Sequence, residues 1–430
     1  MIRRGTGLLV LTIAGIIFTI LQSWLIKEPE ELNITDIKQP IILWWKKYGT
    51  EGKRTCGEFQ CYFSANRELQ AHPFLNAIIF YGTYLSFDDL PIPRPRHIQW
   101  GLLHEESPRN NPAFVNEEFL NLFNYSSTFS RFSDVPILQI PGIEDLMTTK
   151  FFVPFEKKDL LISQDDFAPL LYIQSNCDSV NDRDAYVSEL MKYIRVDAYG
   201  DCLNNRKMPE ALKHDYLEAL CDEEFYKFGA RYKFTLAFEN ADCEDYITEK
   251  LWRPLIVGSI PIYYGSPTFK DWLPNDKSAI SVRDFVSPKE LAEFVEKLSK
   301  NQSLYDEYLA HKLVDRTLSL KNERLLSLYS KKPQGITFEE SLNEFECHIC
   351  KAVSTGNKSK KSVVTRSHFS CPNPTSALTR KVNPKNPWVD FWKVSKCEAK
   401  LIAHYVTNNM RINKTVFEEE RSKMYLNKEC

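Results

Sequence analysis

Tyr232–Ser266 reads YKFTLAFENADCEDYITEKLWRPLIVGSIPIYYGS, and its changing periodicity decides the fold. Tyr232, Phe234, Leu236 and Phe238 alternate with Lys233, Thr235, Ala237 and Glu239, which is the period of a strand. Asp245 is placed to cap a helix. Tyr246, Glu249 and Lys250 then fall at i, i+3 and i+4, on one helical face. A second apolar run follows at Ile260-Pro261-Ile262. Strand, loop, helix and strand in this order predict a parallel sheet, whose ligands gather at the C-terminal edge of the strands. There an ammonium suits a diphosphate, and a carboxylate suits sugar hydroxyls or a developing cation.

This run closely resembles the donor-binding signature of the α1,3-fucosyltransferase family. The matching pieces are Phe238-Glu239-Asn240, Asp245-Tyr246-Ile247-Thr248-Glu249-Lys250 and Gly258-Ser259-Ile260-Pro261-Ile262. A bare Glu-Lys pair would read as a solvated helix face; an ordered run of this length does not. The resemblance implies a GT-B fold, with two Rossmann-like domains facing across a cleft. It also implies GDP-β-L-fucose as donor, no metal and no other cofactor.

Gly7–Ile26 carries no formal charge and has the length of a membrane-spanning helix. Arg3 and Arg4 precede it, and acidic residues follow Lys27. The expected topology is a type II signal anchor with its catalytic part in the lumen of the Golgi or endoplasmic reticulum. No small-residue cleavage site follows. The sequons at Asn33, Asn124, Asn301, Asn357 and Asn413, together with 11 cysteines, fit the secretory pathway. A net charge of −2 argues against a nucleic-acid partner.

In an oxidising lumen disulfides are the preferred reading of the cysteines. Cys56 and Cys61 enclose a short loop and suggest a local bridge. Cys347 and Cys350, with Cys371 downstream, suggest a disulfide cluster, a zinc half-site being the rival. Cys430 is the candidate for the odd cysteine.

Apolar runs and breakers predict residues 1–6 as a cytoplasmic tail, 7–26 as the anchor and 27–39 as a stem. Residues 40–160 form an acceptor-side domain, 161–350 a donor domain and 351–430 an extension. Strands are expected at Ile41–Trp45, Ala77–Gly82, Ile98–Leu103 and Leu170–Gln174. The charge-dense residues 156–166 read as a linker and 351–387 as poorly ordered. Pro387 starts a last helix with Trp388, Phe391 and Trp392 on one face.

His104-Glu105-Glu106-Ser107-Pro108 follows the third strand, where a carboxylate faces the cleft. The resemblance maps the family's catalytic glutamate onto Glu106, in an E-S-P context. Glu105 and His104 are rival bases. Arg183, at a helix start, suits a diphosphate, and the resemblance assigns it that role; pairing with Asp182 or Asp184 is the competing reading. Asp182-Arg183-Asp184 also spells D-x-D, but two nearby cations make a metal unnecessary. Asn240, Tyr246, Glu249 and Lys250 complete the donor set, with Glu249 also stabilising the transition state.

The implied reaction is inverting transfer of L-fucose in α linkage to a secretory glycoprotein, α1,3 to GlcNAc of a glycan. The alternative is O-fucosylation of Ser/Thr in folded Cys-rich modules. Runs such as Tyr81-Gly82-Thr83 and Phe129-Ser130-Arg131 resemble the vertebrate "ten and eleven" branch linked to that chemistry. A luminal binding protein without turnover is the reading from another class.

Overall fold

The computed structural model describes residues 36–212, 223–313, 320–356 and 363–430. The predicted anchor Gly7–Ile26 lies outside them, as do Asn33, Asn357 and Cys221. No helix among the described residues is long and apolar enough to cross a membrane.

Two sheets carry the architecture. The first contains β1 (Ile41–Trp44), β2 (Gly52–Cys56), β3 (Phe59–Ser64), β4 (Leu75–Tyr81), β5 (Gln99–His104) and β6 (Tyr125–Thr128), in the order β2-β3-β1-β4-β5-β6. Only the β2–β3 pair is antiparallel. The second contains β7 (Leu170–Gln174), β8 (Val196–Gly200), β9 (Phe234–Phe238), β10 (Ile260–Tyr264) and β11 (Ile280–Ser281), in the order β11-β10-β9-β7-β8 and parallel throughout. Every residue of β1 and β10 is buried, as expected of strands covered on both faces. Both sheets are Rossmann-like, and the strands read from apolar runs match to within a residue or two.

Helix α1 (Phe155–Gln164) occupies the stretch read as a linker. The reason is Lys158, which is buried and donates to Tyr232 O (2.9 Å), Gly258 O (2.7 Å) and Tyr305 Oη (3.3 Å). It thereby pins α1 under the residues that lead into β9 and β10. Burial lowers its ammonium to about 7.

The C-terminal part returns to the first sheet. Phe345, Ile349 and Cys350 of helix α5 (Phe338–Ser354) join the core beside Ile42, Ile79 and Leu103. The boundary at 350 assigns this helix to the donor domain, whereas its side chains pack on the other sheet. Helix α6 (Trp388–Thr407) buries Trp388, Trp392 and Ile402 on the opposite side of that sheet. Phe391 does not share this face and is 49% exposed, and a further helix follows at Lys414–Leu426. The segment expected to be poorly ordered is packed from residue 363 onward: Phe369 and Cys371 are buried, and Val364 N donates to Phe123 O.

The cysteine pairing departs from the spacing. Cys56 pairs with Cys347 and Cys61 with Cys350, not with each other. Cys347 and Cys350 are i, i+3 on α5 and face the β2–β3 hairpin together. Two bridges therefore rivet helix to hairpin, which also overturns the zinc reading. Cys371 pairs with Cys243, and Cys430 is not the odd cysteine, because it pairs with Cys397. Cys177 pairs with Cys202.

Asn301 and Asn413 are exposed helix N-caps, their Oδ1 atoms accepting from Leu304 N and Val416 N. Asn124 is tied into the fold: its Oδ1 accepts from Trp100 N (3.0 Å) and Arg94 Nη2 (2.6 Å).

Candidate active site

The run quoted above folds as β9, a loop, helix α4 (Glu249–Val257) and β10, but the helix starts later than its pattern predicts. The cause is Glu239. This fully buried carboxylate directly follows β9 and accepts from Thr248 N (2.8 Å) and from Thr248 Oγ1 at both oxygens. Thr248 becomes the N-cap, and its Oγ1 accepts from Lys250 N. Asp245 caps nothing. Its backbone sits at φ 62°, and its carboxylate accepts from Arg131 N (3.0 Å) and Nε (2.8 Å), Thr268 Oγ1 (2.8 Å) and Trp272 Nε1 (3.3 Å). Arg131 follows β6, so this ion pair joins the two sheets' loops.

Tyr246 consequently leaves the face of Glu249 and Lys250. It packs edge-on against Phe129, centroids 5.2 Å apart, in the core of the first sheet. Burial raises its hydroxyl well above the usual range, and the charges of Glu106, Glu239 and Glu249 add to this. One side chain thus senses Glu106 after β5, Glu239 after β9 and Glu249 at the start of α4.

Helix α4 and the ends of β7 and β9 line a cavity of about 350 Å³ that includes Gln174, Asn176, Arg183, Asn240, Glu249, Lys250 and Arg253. Helix α3 (Glu223–Ala230) closes one side with Phe225 and Tyr226. The size falls within the range of small-molecule sites. Arg183 begins helix α2 (Arg183–Leu190) and is buried. Its Nη1 donates to Phe238 O (3.0 Å) and its Nη2 to Asn176 O (2.7 Å), while Nε is buried without a partner among the described residues. It pairs with neither neighbouring aspartate. Asp182 accepts from Asn383 and Asn386, and Asp184 from the Tyr172 hydroxyl. The two carboxylates of the D-x-D motif are therefore engaged separately.

Lys250 Nζ lies 3.0 Å from Glu249 Oε1 and 3.5 Å from Glu239 Oε2. Burial works against its charge, but both carboxylates raise its pKa. For Glu249, 40% exposed, burial pushes upward and is more than offset by Lys250 and Arg253, leaving its carboxyl at about 2. Glu239 moves the other way: burial raises it despite Lys250. Arg253 was not read from the sequence, and Glu239 was read only as part of the Phe238-Glu239-Asn240 match, without its capping role. The signal for Arg253 was its i, i+4 spacing from Glu249; nothing in the alternation of β9 singled out Glu239.

At the edge of the first sheet, His104 is fully buried beside Phe114 and Phe369, and burial holds its imidazole down at about 3. A buried, neutral ring is no base for an acceptor arriving from solvent. Glu105 turns to Tyr81, whose hydroxyl donates to Oε1 at 2.5 Å. Glu106 is half-buried, and no hydrogen bond or ion pair restrains its carboxylate among the described residues.

Two family profiles match this chain: "Fucosyltransferase, N-terminal" over residues 37–139 and "Glycosyltransferase family 10 (fucosyltransferase) C-term" over residues 166–367. The chain belongs to glycosyltransferase family 10, the fucosyltransferases. This fucosyltransferase is 40% identical to GDP-fucose protein O-fucosyltransferase 3 of Mus musculus, over 88% of this chain and 82% of that protein. It is 37% identical to Alpha-(1,3)-fucosyltransferase B of Drosophila melanogaster, over 100% and 98% of the two chains. A solved α1,3-fucosyltransferase with GDP-fucose superposes with a TM-score of 0.41 at 16% identity, covering 76% of this chain and 92% of that one.

Proposed function

We propose that this fucosyltransferase takes GDP-β-L-fucose and transfers fucose, with inversion, to a Ser/Thr hydroxyl of a folded, disulfide-bonded secreted module. The observation that carries the reading is a cavity with Arg183, Lys250 and Arg253 at one parallel sheet's C-terminal edge, set against the unrestrained Glu106 at the other's. This is the GT-B division of labour. The diphosphate sits on Arg183, whose Nε has a donor to spare, and on Lys250. Asn240, whose Oδ1 is also buried and has no partner among the described residues, orients the nucleotide-sugar. Glu249 stays anionic and stabilises positive charge at C1. Glu106 takes the proton of the acceptor hydroxyl as its oxygen attacks C1 opposite the leaving GDP. GDP departs as an anion held by cations, so neither a second proton donor nor a divalent ion is needed.

The relatives' names divide over the acceptor. A protein surface is favoured by large exposed side chains after the two strands that flank β5: Tyr84, 50% exposed, follows β4, and Phe132, 59% exposed, follows β6. The second reading, α1,3 transfer to GlcNAc, draws on the end-to-end match to the Drosophila protein. Mass spectrometry of secreted glycoproteins from cells with and without the enzyme separates them. Enzyme-dependent fucose on Ser/Thr is the expected result; fucose appearing only on N-glycans would reverse the order. Donor binding without any transfer would support a binding protein.

Lys250→Ala removes one phosphate contact, a loss of about 1.5–3 kcal/mol, or roughly ten- to hundredfold in Kd for GDP. Calorimetry reads this directly. An unchanged GDP affinity with the fold intact would take Lys250 out of the site.

The type II anchor at Gly7–Ile26 belongs to the same proposal. A chain starting near residue 30 behind a cleavable signal is expected to be secreted, N-glycosylated and active. A folded but inactive secreted product would give the anchor or stem a catalytic part.

A further inference from the structure

Residues at and after the ends of β1, β4 and β5 meet at Glu105, one residue before Glu106, and donor binding gives them no task. Tyr48 stacks on Tyr81, centroids 4.0 Å apart and rings 18° from parallel. Tyr84 stands edge-on to Tyr81 at 5.0 Å and to Tyr48 at 6.1 Å. Phe338, the first residue of α5, supports Tyr48 at 6.2 Å. Tyr84 keeps half of its surface open.

Glu105 is the polar member of the group. One oxygen accepts from Tyr81, while Oε2 is buried with no hydrogen-bond partner among the described residues. A buried acceptor left without a donor is unfavourable and calls for a reason. Burial raises the Glu105 carboxyl, with the charge of Glu106 adding to this, while the Tyr81 hydroxyl and a backbone N–H pull it back down.

The breadth of the surface selects the ligand class. The strand order places β1, β4, β5 and β6 side by side. At about 4.8 Å per strand, the residues behind them span roughly 15 Å of sheet edge. Tyr84, after β4, and Phe132, after β6, are both exposed, and the strand that leads to Glu106 runs between those two. The strands that carry them are two spacings apart, about 10 Å, which is wider than one sugar ring. Aromatic anchors around a polar centre are the composition of a protein-binding surface.

We infer that Tyr48, Tyr81, Tyr84 and the Oε2 atom of Glu105 form the acceptor subsite, and that it takes a polypeptide: an apolar side chain rests on Tyr84, and an N–H or O–H near the target hydroxyl donates to Glu105. The inference rests on the reading of Glu106 as the base. Glu105 then determines specificity rather than chemistry, one residue away from the proton transfer.

The test expresses the full chain and the variants Tyr84→Ala, Tyr84→Phe, Glu105→Gln and Glu106→Gln in cells lacking the activity. Mass spectrometry reads fucose on Ser/Thr and on N-glycans of secreted proteins separately. Calorimetry with GDP on each purified full chain is the control for fold and donor site. Tyr84→Ala is expected to lower Ser/Thr occupancy about tenfold, the scale of an interface anchor. Tyr84→Phe keeps most of the occupancy. Glu105→Gln lowers it by about three- to tenfold, as for one hydrogen bond, by raising KM for the fucosylated module rather than lowering kcat. GDP affinity stays level throughout. Wild-type occupancy with Tyr84→Ala would overturn the subsite, as would a parallel loss of GDP affinity. If wild-type fucose sits only on glycans and Tyr84→Ala removes it, the polypeptide assignment falls while the base stands. If Glu106→Gln transfers at the wild-type rate, the base reading falls by itself, whatever Tyr84→Ala does.

Discussion

Glu106→Gln should leave GDP binding nearly unchanged and lower fucosyl transfer by about 10²–10⁴-fold, the contribution of a positioned general base. The substitution keeps the shape of the side chain and removes its capacity to accept a proton. Nothing in the fold depends on it, since the carboxylate is half-buried and unrestrained among the described residues. Its neighbours are separated by geometry. His104 is sealed beside Phe114 and Phe369 with its ring held neutral, and Glu105 is engaged by Tyr81. Single-turnover transfer at saturating acceptor isolates the effect on the chemical step. Glu105→Gln should leave that step largely intact. If Glu105→Gln abolished transfer and Glu106→Gln did not, the base would be the other carboxylate. If both retained it, the proton would leave by another route.

Glu346→Ala should be the most destabilising single substitution argued from this structure, by about 3–5 kcal/mol, the cost of breaking a buried ion pair. Glu346 is fully buried on α5. It accepts from Trp44 Nε1 (2.8 Å), Thr50 N (2.8 Å) and Thr50 Oγ1 (2.6 Å), and it pairs with Arg54. Removing it leaves four donors from β1, β2 and the intervening loop without their acceptor. The chain crowds this point: a Cβ on Gly49 would lie 2.3 Å from Glu346 Oε1. Glu346→Gln keeps one acceptor oxygen and should lose about half as much, roughly 1.5–3 kcal/mol, the range for a charged hydrogen bond. Denaturant unfolding with the disulfides intact measures both. A loss below about 1 kcal/mol for Glu346→Ala would mean that the two bridges beside it, Cys56–Cys347 and Cys61–Cys350, hold the helix without help.

Local periodicity was enough to read the parallel strands and the donor helix, because buried strands such as Ile41–Trp44 are apolar throughout and β9 alternates cleanly. The resemblance, not periodicity, named Arg183, Asn240, Glu249 and Lys250 together, and they do line one cavity, because the loops and helices after β7 and β9 return to the same sheet edge. Contacts distant in sequence decided the rest. The start of α4 was set by Glu239 reaching Thr248, and the fate of Asp245 and Tyr246 by Arg131 and Phe129 arriving from the other sheet. A capping preference contributes about 1 kcal/mol, and a multiply bonded buried carboxylate outweighs it. Cysteine pairing was likewise out of reach: Cys56 and Cys61 are close in sequence, yet their partners are brought to them by a helix 291 and 289 residues away. Spacing along a chain reports which residues can be neighbours on one element. Which elements meet is decided by packing of their apolar faces, and the pairing of α5 with the β2–β3 hairpin existed only once the C-terminal chain had folded back onto the first sheet.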